Sequence, residues 1–156
     1  MHPKPSPENN YFIQHAQLLT KSFHRLLGYP LVKSTLENHE LGQELFQAKF
    51  ALLSHTNAKE PIFSYGNQTA LELFVFNWEE LITLPSRLSA EPSNQTERAK
   101  LLEQVSRHGY INNYQGVRVS KTGRRFVINN AIVWNLIDDS GTYQGQAACF
   151  SDWEFI

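Results

Sequence analysis

The chain has little of what several classes of protein require. Its 156 residues include one cysteine, Cys149, which excludes an internal disulfide and a cysteine cage for a metal. The formal net charge is −1, from 14 basic and 15 acidic residues, so no basic surface for nucleic acid or anionic lipid is expected. No apolar run reaches the roughly 20 residues of a membrane span. The sequence favours one cytoplasmic domain with neither nucleic acid nor membrane as partner.

The short motifs of common enzymes are also missing. There is no G-x-S-x-G, no H-E-x-x-H and no glycine-rich phosphate loop. The six histidines form no pair at metal-binding spacing beside a carboxylate or cysteine. The adjacent carboxylates Glu79 and Glu80 would point apart on a helix. No catalytic residue and no metal site is predicted, and Cys149 is expected to be a buried packing residue.

The clearest pattern that is present is β-rich sequence near the C-terminal end. Three strands are predicted, at about Tyr110 to Ser120, Arg124 to Ile137 and Thr142 to Asp152. The breaks KTG and DDSG are short and contain Gly123 and Gly141, which tolerate positive φ. Turns this short make neighbouring strands antiparallel, so this segment is predicted to be a three-stranded meander.

Upstream sequence supplies helices and two more strands. Apolar side chains at helical spacing predict an amphipathic helix from Tyr11 to Leu27, ended by Gly28 and Pro30. Residues 1–9 are expected to be a disordered lead-in, and residues 10–156 a single domain. The other predicted segments are a connector at Leu31–Thr35, a short helix at Asn38–Ala48, strands at Phe50–His55 and Pro61–Tyr65, and helices at Gln68–Val75, Trp78–Leu81 and from Asn94 to Gly109. This order predicts an α+β fold with a five-stranded antiparallel sheet.

Both faces of the meander are predicted to be covered. Strict alternation along its second strand places Asn130 and Trp134 on one face, and both faces are mainly apolar. The short helices would cover one face, and the N-terminal helix or its copy from a partner chain the other. The helix either packs on its own domain or is shared in a homodimer, for which the candidate contact residues are Phe12, Leu19, Phe23 and Leu26.

Several strings resemble known families. The strand that begins at Pro61, the following Asn67-x-x-Ala70 helix and the Glu79-Glu80-Leu81 turn resemble the opening of a PAS domain. The meander resembles its end. A closer resemblance is to the MEKHLA domain, a PAS-like family that occurs as stand-alone bacterial proteins and at the C-terminus of plant homeodomain–leucine zipper factors. It rests on strings such as LPSRLSAEP, YQGVR, GRRF, VWNL and GQAA.

The resemblance implies a PAS-like domain of the stand-alone bacterial type, with short helices on one sheet face, an N-terminal amphipathic helix and a cavity between sheet and helices. It implies no catalytic residue, and because no homeodomain or zipper is present, DNA binding does not carry over. The identity of any cofactor stays unknown. The reactive Asn-Cys-Arg string of flavin photosensors does not occur, which disfavours adduct chemistry at Cys149.

The leading hypothesis is a non-enzymatic sensory or interaction module whose cavity binds a small apolar or aromatic ligand. The candidate lining residues are Tyr65, Asn67, Phe74, Arg87, Asn130, Trp134, Gln146 and Phe150. A filled core without a ligand is an open alternative, as is a small isomerase or hydrolase with a buried acid–base group. Lys121, Arg124 and Arg125 at a hairpin tip are either a solubilising turn or a contact site for an acidic partner.

Overall fold

The computed structural model describes residues 2–33 and 40–156, which form one antiparallel sheet flanked by helices. The strands are β1 (Ala51–Thr56), β2 (Phe63–Gly66), β3 (Tyr110–Val119), β4 (Arg125–Ile137), β5 (Tyr143–Phe150) and β6 (Asp152–Phe155). The helices are α1 (Ile13–Leu27), α2 (Leu41–Phe46), α3 (Gln68–Phe74), α4 (Trp78–Leu81) and α5 (Pro92–His108), with 3-10 turns at Pro7–Phe12 and Ser86–Ser89. The strand order is β2-β1-β5-β4-β3, and β6 pairs with β4. The predicted α+β fold is confirmed.

The C-terminal meander forms as predicted, with one additional break. The predicted third strand divides at Ser151 into β5, which pairs with the end of β4, and β6, which pairs with its beginning. Opposite this break, Asn130 in β4 has a φ of 53°, and the pairing with β3 shifts by one residue between Tyr114 and Gly116. A bulge of one residue reverses the direction of every side chain that follows it. Strict alternation along β4 is therefore wrong beyond Asn130.

Helix α1 covers the outer face of the sheet of its own chain. Phe23 packs edge-on against Trp134 at 5.0 Å between ring centroids, and Trp134 Nε1 donates to the Leu19 carbonyl at 3.3 Å. Leu19, Phe23 and Trp134 are almost completely buried. Ser22 Oγ donates to the Ile137 carbonyl at 3.1 Å and accepts from the Ile137 N–H at 2.9 Å.

These contacts overturn the prediction that Leu19 and Phe23 are dimer contacts. Leu19 and Phe23 already lie in the core of their own chain, because the apolar stripe of α1 faces the sheet. Phe12 and Leu26 are half-buried and also pack against this core. Leu19 and Phe23 are therefore not available to a second subunit, and contact of Phe12 or Leu26 with one stays a prediction.

Helix α5 covers the inner face of the sheet and is fixed to it by amide side chains. Gln146 Nε2 in β5 donates to the Leu102 carbonyl at 3.0 Å, and Asn135 Nδ2 in β4 donates to the Ser106 carbonyl at 3.3 Å. The helix begins at Pro92 after Glu91, so Asn94 lies inside the first turn and is not its N-cap. The predicted end at Gly109, whose φ is 96°, is confirmed.

Residues at the N-terminal end contact the body of the domain. Trp78 Nε1 donates to the His2 carbonyl at 2.8 Å, and Pro5 is buried. The structure thus differs from the prediction of a disordered lead-in. The predicted connector at Leu31–Thr35 and the beginning of the helix at Asn38–Ala48 fall partly on residues 34–39, outside the described residues; α2 lies within the rest of that predicted helix.

The basic hairpin tip is paired within the chain. Lys121 forms an ion pair with Glu80 at the beginning of α4, and Arg125 pairs with Glu91 at 2.6 Å. The Arg124 guanidinium lies 3.5 Å from the centre of the Phe155 ring. Each pair joins the hairpin to a different part of the domain, so the cluster has a structural use of its own. A contact with an acidic partner stays a prediction.

Candidate functional site

A cavity of about 60 Å³ lies between the inner face of the sheet and α5. Its walls are mainly apolar, and they include Phe63 from β2, Phe74 from α3, Leu101 from α5, and Ile128 and Phe150 from the sheet. A space of this size accommodates a few water molecules or a small solute, and it is smaller than the about 300 Å³ at which drug-sized pockets begin. A larger molecule would therefore require the walls to move apart.

Two arginines and a tyrosine form the polar end of the cavity. Arg98 comes from α5, and Tyr114 and Arg118 come from the same face of β3. Arg118 Nη2 donates to the Tyr114 hydroxyl at 3.1 Å, and Nη1 donates to the Val117 carbonyl at 2.8 Å. The Tyr114 hydroxyl donates to the exposed carboxylate of Glu97, at 3.0 Å from the nearer oxygen.

Gly116 makes this arrangement on β3 sterically feasible. A Cβ atom at this position would lie 2.3 Å from the Tyr114 hydroxyl and 3.0 Å from Arg118 Nη1. The tyrosine ring therefore lies along the strand over Gly116, toward Arg118. Any larger residue at this position would displace one of the two side chains.

His55 from β1 contributes a further polar group. Its Nδ1 lies 3.0 Å from the Thr56 carbonyl, which fits an N–H donor at Nδ1 and an acceptor at Nε2. Within the described residues, Nε2 is buried and has no hydrogen-bond partner. Burial lowers the pKa of His55 to about 4, opposed by the Thr56 carbonyl, helped by the positive charge of Arg98 and opposed again by the nearby Gln146 side chain. The imidazole is neutral at pH 7.

Arg98 keeps its charge in this setting. Burial and then the nearby charge of Arg118 lower its pKa to about 10, against the opposing influence of Tyr114 and Glu97. A pKa of about 10 leaves the guanidinium protonated at pH 7. Two cations, Arg98 and Arg118, therefore line the cavity. The nearby carboxylate is that of Glu97, which accepts the hydrogen bond of the Tyr114 hydroxyl.

Three of the residues predicted to line a pocket do line this cavity: Phe74, Gln146 and Phe150. The amide of Gln146 already has partners within the chain: its Nε2 donates to the Leu102 carbonyl and, at 3.2 Å, to the Asn135 side chain. Whether any of the three contacts a ligand stays a prediction.

The other five lie elsewhere. Trp134 is under α1 because the bulge reverses the alternation, and Asn130 is the exposed residue of the bulge itself. Tyr65 packs against His15 of α1 and edge-on against Trp78 of α4 on the outer side. Arg87 is exposed and pairs with Glu60 at 2.9 Å, whereas Asn67 is completely buried.

The buried side chain of Asn67 has a structural role. Its Oδ1 accepts from the Leu52 and Ala70 N–H groups, each at 3.0 Å, and its Nδ2 donates to the Leu45 carbonyl at 3.1 Å and the Phe50 carbonyl at 2.8 Å. All four hydrogen bonds available to an asparagine side chain are therefore made. One residue joins β1, the end of α2 and the beginning of α3.

Sequence reasoning missed Arg98, Tyr114, Arg118 and His55. Two signals were available. Arg98 occupies the same helical stripe as Leu101, Leu102 and Val105, because these positions follow it by three, four and seven residues. Tyr114, Gly116 and Arg118 share one strand face at a spacing of two. A charged residue on an apolar stripe is a sign of a functional position.

A family model matches most of the chain. The model of the MEKHLA domain matches residues 13–155. The chain belongs to the MEKHLA domain family. The match includes α1, so the helix on the outer face is part of the family's domain and not an appendage to it.

The curated relatives are much longer proteins. Homeobox-leucine zipper protein HOX10 of Oryza sativa subsp. indica is 25% identical over 146 residues, which is 90% of this chain and 17% of that protein. This MEKHLA domain therefore spans about 17% of the length of the relatives it matches first. It resembles one segment of such proteins.

Solved structures share the fold at low identity. The PAS domain of a protein from Colwellia psychrerythraea has a TM-score of 0.61 and 13% identity, over 73% of this chain and 92% of that one. The light-state dimer of the fungal blue-light photoreceptor Vivid has a TM-score of 0.56 and 15% identity, over 83% and 90%. This MEKHLA domain is therefore PAS-like in fold.

Cys149 does not belong to the cavity. It is buried on the outer face of β5, where burial raises the pKa of its thiol to about 12. A thiol on this face cannot react with a molecule held on the inner face. Within residues 2–33 and 40–156, no group of three or more His, Cys, Asp or Glu side chains is placed to hold a metal. No helix in those ranges has the length and apolarity to cross a membrane.

Proposed function

We propose that this MEKHLA domain is a non-enzymatic sensory module and that the cavity under α5 is its ligand site. The observation that carries the proposal is the form of the cavity: apolar walls with a few polar groups at one end, which is typical of small-molecule sites. The covering helix is part of the wall, so a bound molecule would contact both α5 and the sheet. A ligand that binds there has a direct means of altering the position of α5.

Two measurements test the proposal. The intact chain, purified from its natural host without added ligand, is expected to show a small-molecule adduct in native mass spectrometry. In parallel, a library of small apolar and aromatic fragments is expected to shift the ¹H–¹⁵N signals of cavity residues such as Leu101 and Phe150. Ligand-free mass together with unchanged spectra for the whole library would contradict the proposal.

Filling the cavity provides the third test. Ala148 lines it from β5, and Ala148→Val adds two carbons in a residue type that strands favour. We expect fragments that bind the unmodified chain to bind this variant at least about tenfold more weakly, a change of about 1.4 kcal/mol. The matched control is Ala99→Val, at an exposed position of α5, for which no change in affinity is expected. Equal binding by both variants would place the ligand outside the cavity.

A homodimer is a second part of the proposal. The structure of Vivid is that of a light-state dimer, and its fold is similar to this chain. Light scattering of the full chain is expected to give twice the mass of one chain, and a single-chain mass at high concentration would exclude a stable dimer. Because Leu19 and Phe23 are buried in their own chain, such a dimer has to use residues other than these two. The cytoplasmic location expected from the sequence stays a prediction.

One observation favours an enzyme as the alternative function. His55 lies in the cavity wall with a free Nε2 and a strongly lowered pKa, as a buried acid–base group requires. Ser54 also lines the cavity, and its Oγ lies 2.8 Å from His15 Nε2 and 2.8 Å from Ser64 Oγ, so its hydroxyl already has two partners. Recovery of an identified ligand unchanged after prolonged incubation would support binding alone. Conversion that is lost in His55→Gln would support the enzyme.

A further inference from the structure

The clearest unexplained group in the cavity is the guanidinium of Arg98. The side chain projects from the buried stripe of α5, and the residue is 9% exposed. Among the described residues it has neither a hydrogen bond nor an ion pair within contact distance. Burying a charge without a partner is unfavourable, and proteins do so mainly where the charge has a function.

Arg118 adds a second positive charge to the cavity. It lies on the wall formed by β3, and its positive charge is near enough to Arg98 to lower the pKa of that residue. Two of its nitrogens are already bonded, one to the Tyr114 hydroxyl and one to a main-chain carbonyl. The one nearby carboxylate, Glu97, is exposed and accepts the Tyr114 hydroxyl. Two buried cations thus line one cavity close enough to influence each other, with one exposed carboxylate beside them.

The remaining walls define the rest of a ligand. Phe74, Ile128 and Phe150 provide apolar surface next to the cationic end. His55, on β1, has an acceptor nitrogen that a ligand hydroxyl or acid proton would satisfy. The volume of about 60 Å³ limits the apolar part to a short chain. An anionic head and a short apolar body fit this distribution of groups.

We propose that the cavity ligand is a small organic carboxylate whose carboxylate group binds between Arg98 and Arg118 and whose apolar part lies against Phe74, Ile128 and Phe150. This inference rests on the proposed function, because it names the class of ligand for the same cavity. Charge-assisted hydrogen bonds from guanidinium groups to a carboxylate are short and strong, and the planar fork of arginine matches carboxylate geometry. The ligand would neutralise the unpaired charge and join α5 to β3.

The test compares acids with their neutral amides on the full chain. Propionate, butyrate, propionamide, butyramide and inorganic phosphate are titrated separately while ¹H–¹⁵N spectra are recorded. We expect each acid to bind at least about tenfold more tightly than its amide, and phosphate to bind more weakly than either acid, because it lacks an apolar part. Amides that bind as well as acids, or phosphate that binds as tightly, would overturn the inference.

Arg98→Met removes the charged guanidinium while keeping an unbranched, flexible apolar side chain. It is expected to weaken the binding of butyrate at least about tenfold and that of butyramide less than about twofold. The control is Arg107→Met, which removes an exposed arginine of the same helix that pairs with Glu103, and both affinities are expected to stay within about twofold. Unchanged butyrate binding in Arg98→Met would overturn the inference.

Arg98→Met is also expected to change the thermal stability of the ligand-free chain. Removing an unpaired buried charge in favour of an apolar side chain is expected to raise the melting temperature by about 5 °C, against little change for Arg107→Met. A lower melting temperature would show that Arg98 already has a stabilising partner, and would overturn the inference. If neutral fragments bind and Ala148→Val prevents it, the proposed function survives even where the carboxylate fails. If neither acids nor neutral fragments bind, both proposals fail.

Discussion

Replacing Asn67 with alanine is expected to lower the free energy of unfolding by about 4 kcal/mol. The substitution removes four hydrogen bonds from a completely buried position and leaves the Leu52 and Ala70 N–H groups without their acceptor. It also leaves the Leu45 and Phe50 carbonyls without a donor. Each buried polar group left unpaired costs about 1–3 kcal/mol, and water that enters the vacated space compensates in part. Urea denaturation monitored by circular dichroism measures the effect.

Asn77→Ala is the matched control. Asn77 is the exposed N-cap of α4, where its side chain accepts from the Glu80 N–H at 2.8 Å. Loss of a cap of this kind costs about 1 kcal/mol. If both asparagine variants lose the same amount of stability, Asn67 does not act as a junction of three elements. A small effect at Asn67 alone would mean that water replaces the side chain completely.

Trp134→Ala is expected to destabilise the chain by about 4 kcal/mol through loss of the contact between α1 and the sheet. Trp134 is fully buried, packs against Phe23 and donates a hydrogen bond to the Leu19 carbonyl. Removal of a buried tryptophan leaves a large cavity, and such substitutions cost about 3–5 kcal/mol. Thermal unfolding and the chemical shifts of α1 residues measure the loss of stability and of docking.

The control for this variant is Trp153→Ala. Trp153 in β6 is half-buried, and it meets Phe150 at 5.9 Å between ring centroids. We expect a loss of about 1 kcal/mol, since less apolar surface is uncovered. If Trp134→Ala has an effect as small as this, α1 is not docked on its own sheet in solution. The helix would then be free to serve a second subunit after all.

The fold was predictable because its elements carry local signals. Alternating β-branched and aromatic residues with glycine turns define the meander, and the stripe that ends at Gly28 defines α1. The bulge at Asn130 was not predictable, because asparagine tolerates positive φ without requiring it. This one residue sends Trp134 to the outer face. An error of one position was therefore enough to move the largest predicted pocket residue out of the pocket.

The site was less predictable than the fold. Phe74, Gln146 and Phe150 were expected near the cavity because they lie on strands and helices whose faces could be inferred. Arg98 and Arg118 were missed because a charged residue is usually solvated, and only the pairing of α5 with β3 brings them together. His55 gave no signal in the sequence, since its burial depends on contacts with residues far away along the chain. Convergence of distant segments is a property of tertiary structure.

The amide contacts of α5 have a kinetic consequence. Gln146 and Asn135 hold the second half of the helix at Leu102 and Ser106, by contacts that are partly buried. Its first half is held by solvent-exposed carboxylates, Glu97 to Tyr114 and Glu91 to Arg125. Exposed ionic contacts are weak and are screened by salt. The first half of the helix is therefore held more weakly than the second, and we expect salt to loosen it and to speed the entry of a solute into the cavity.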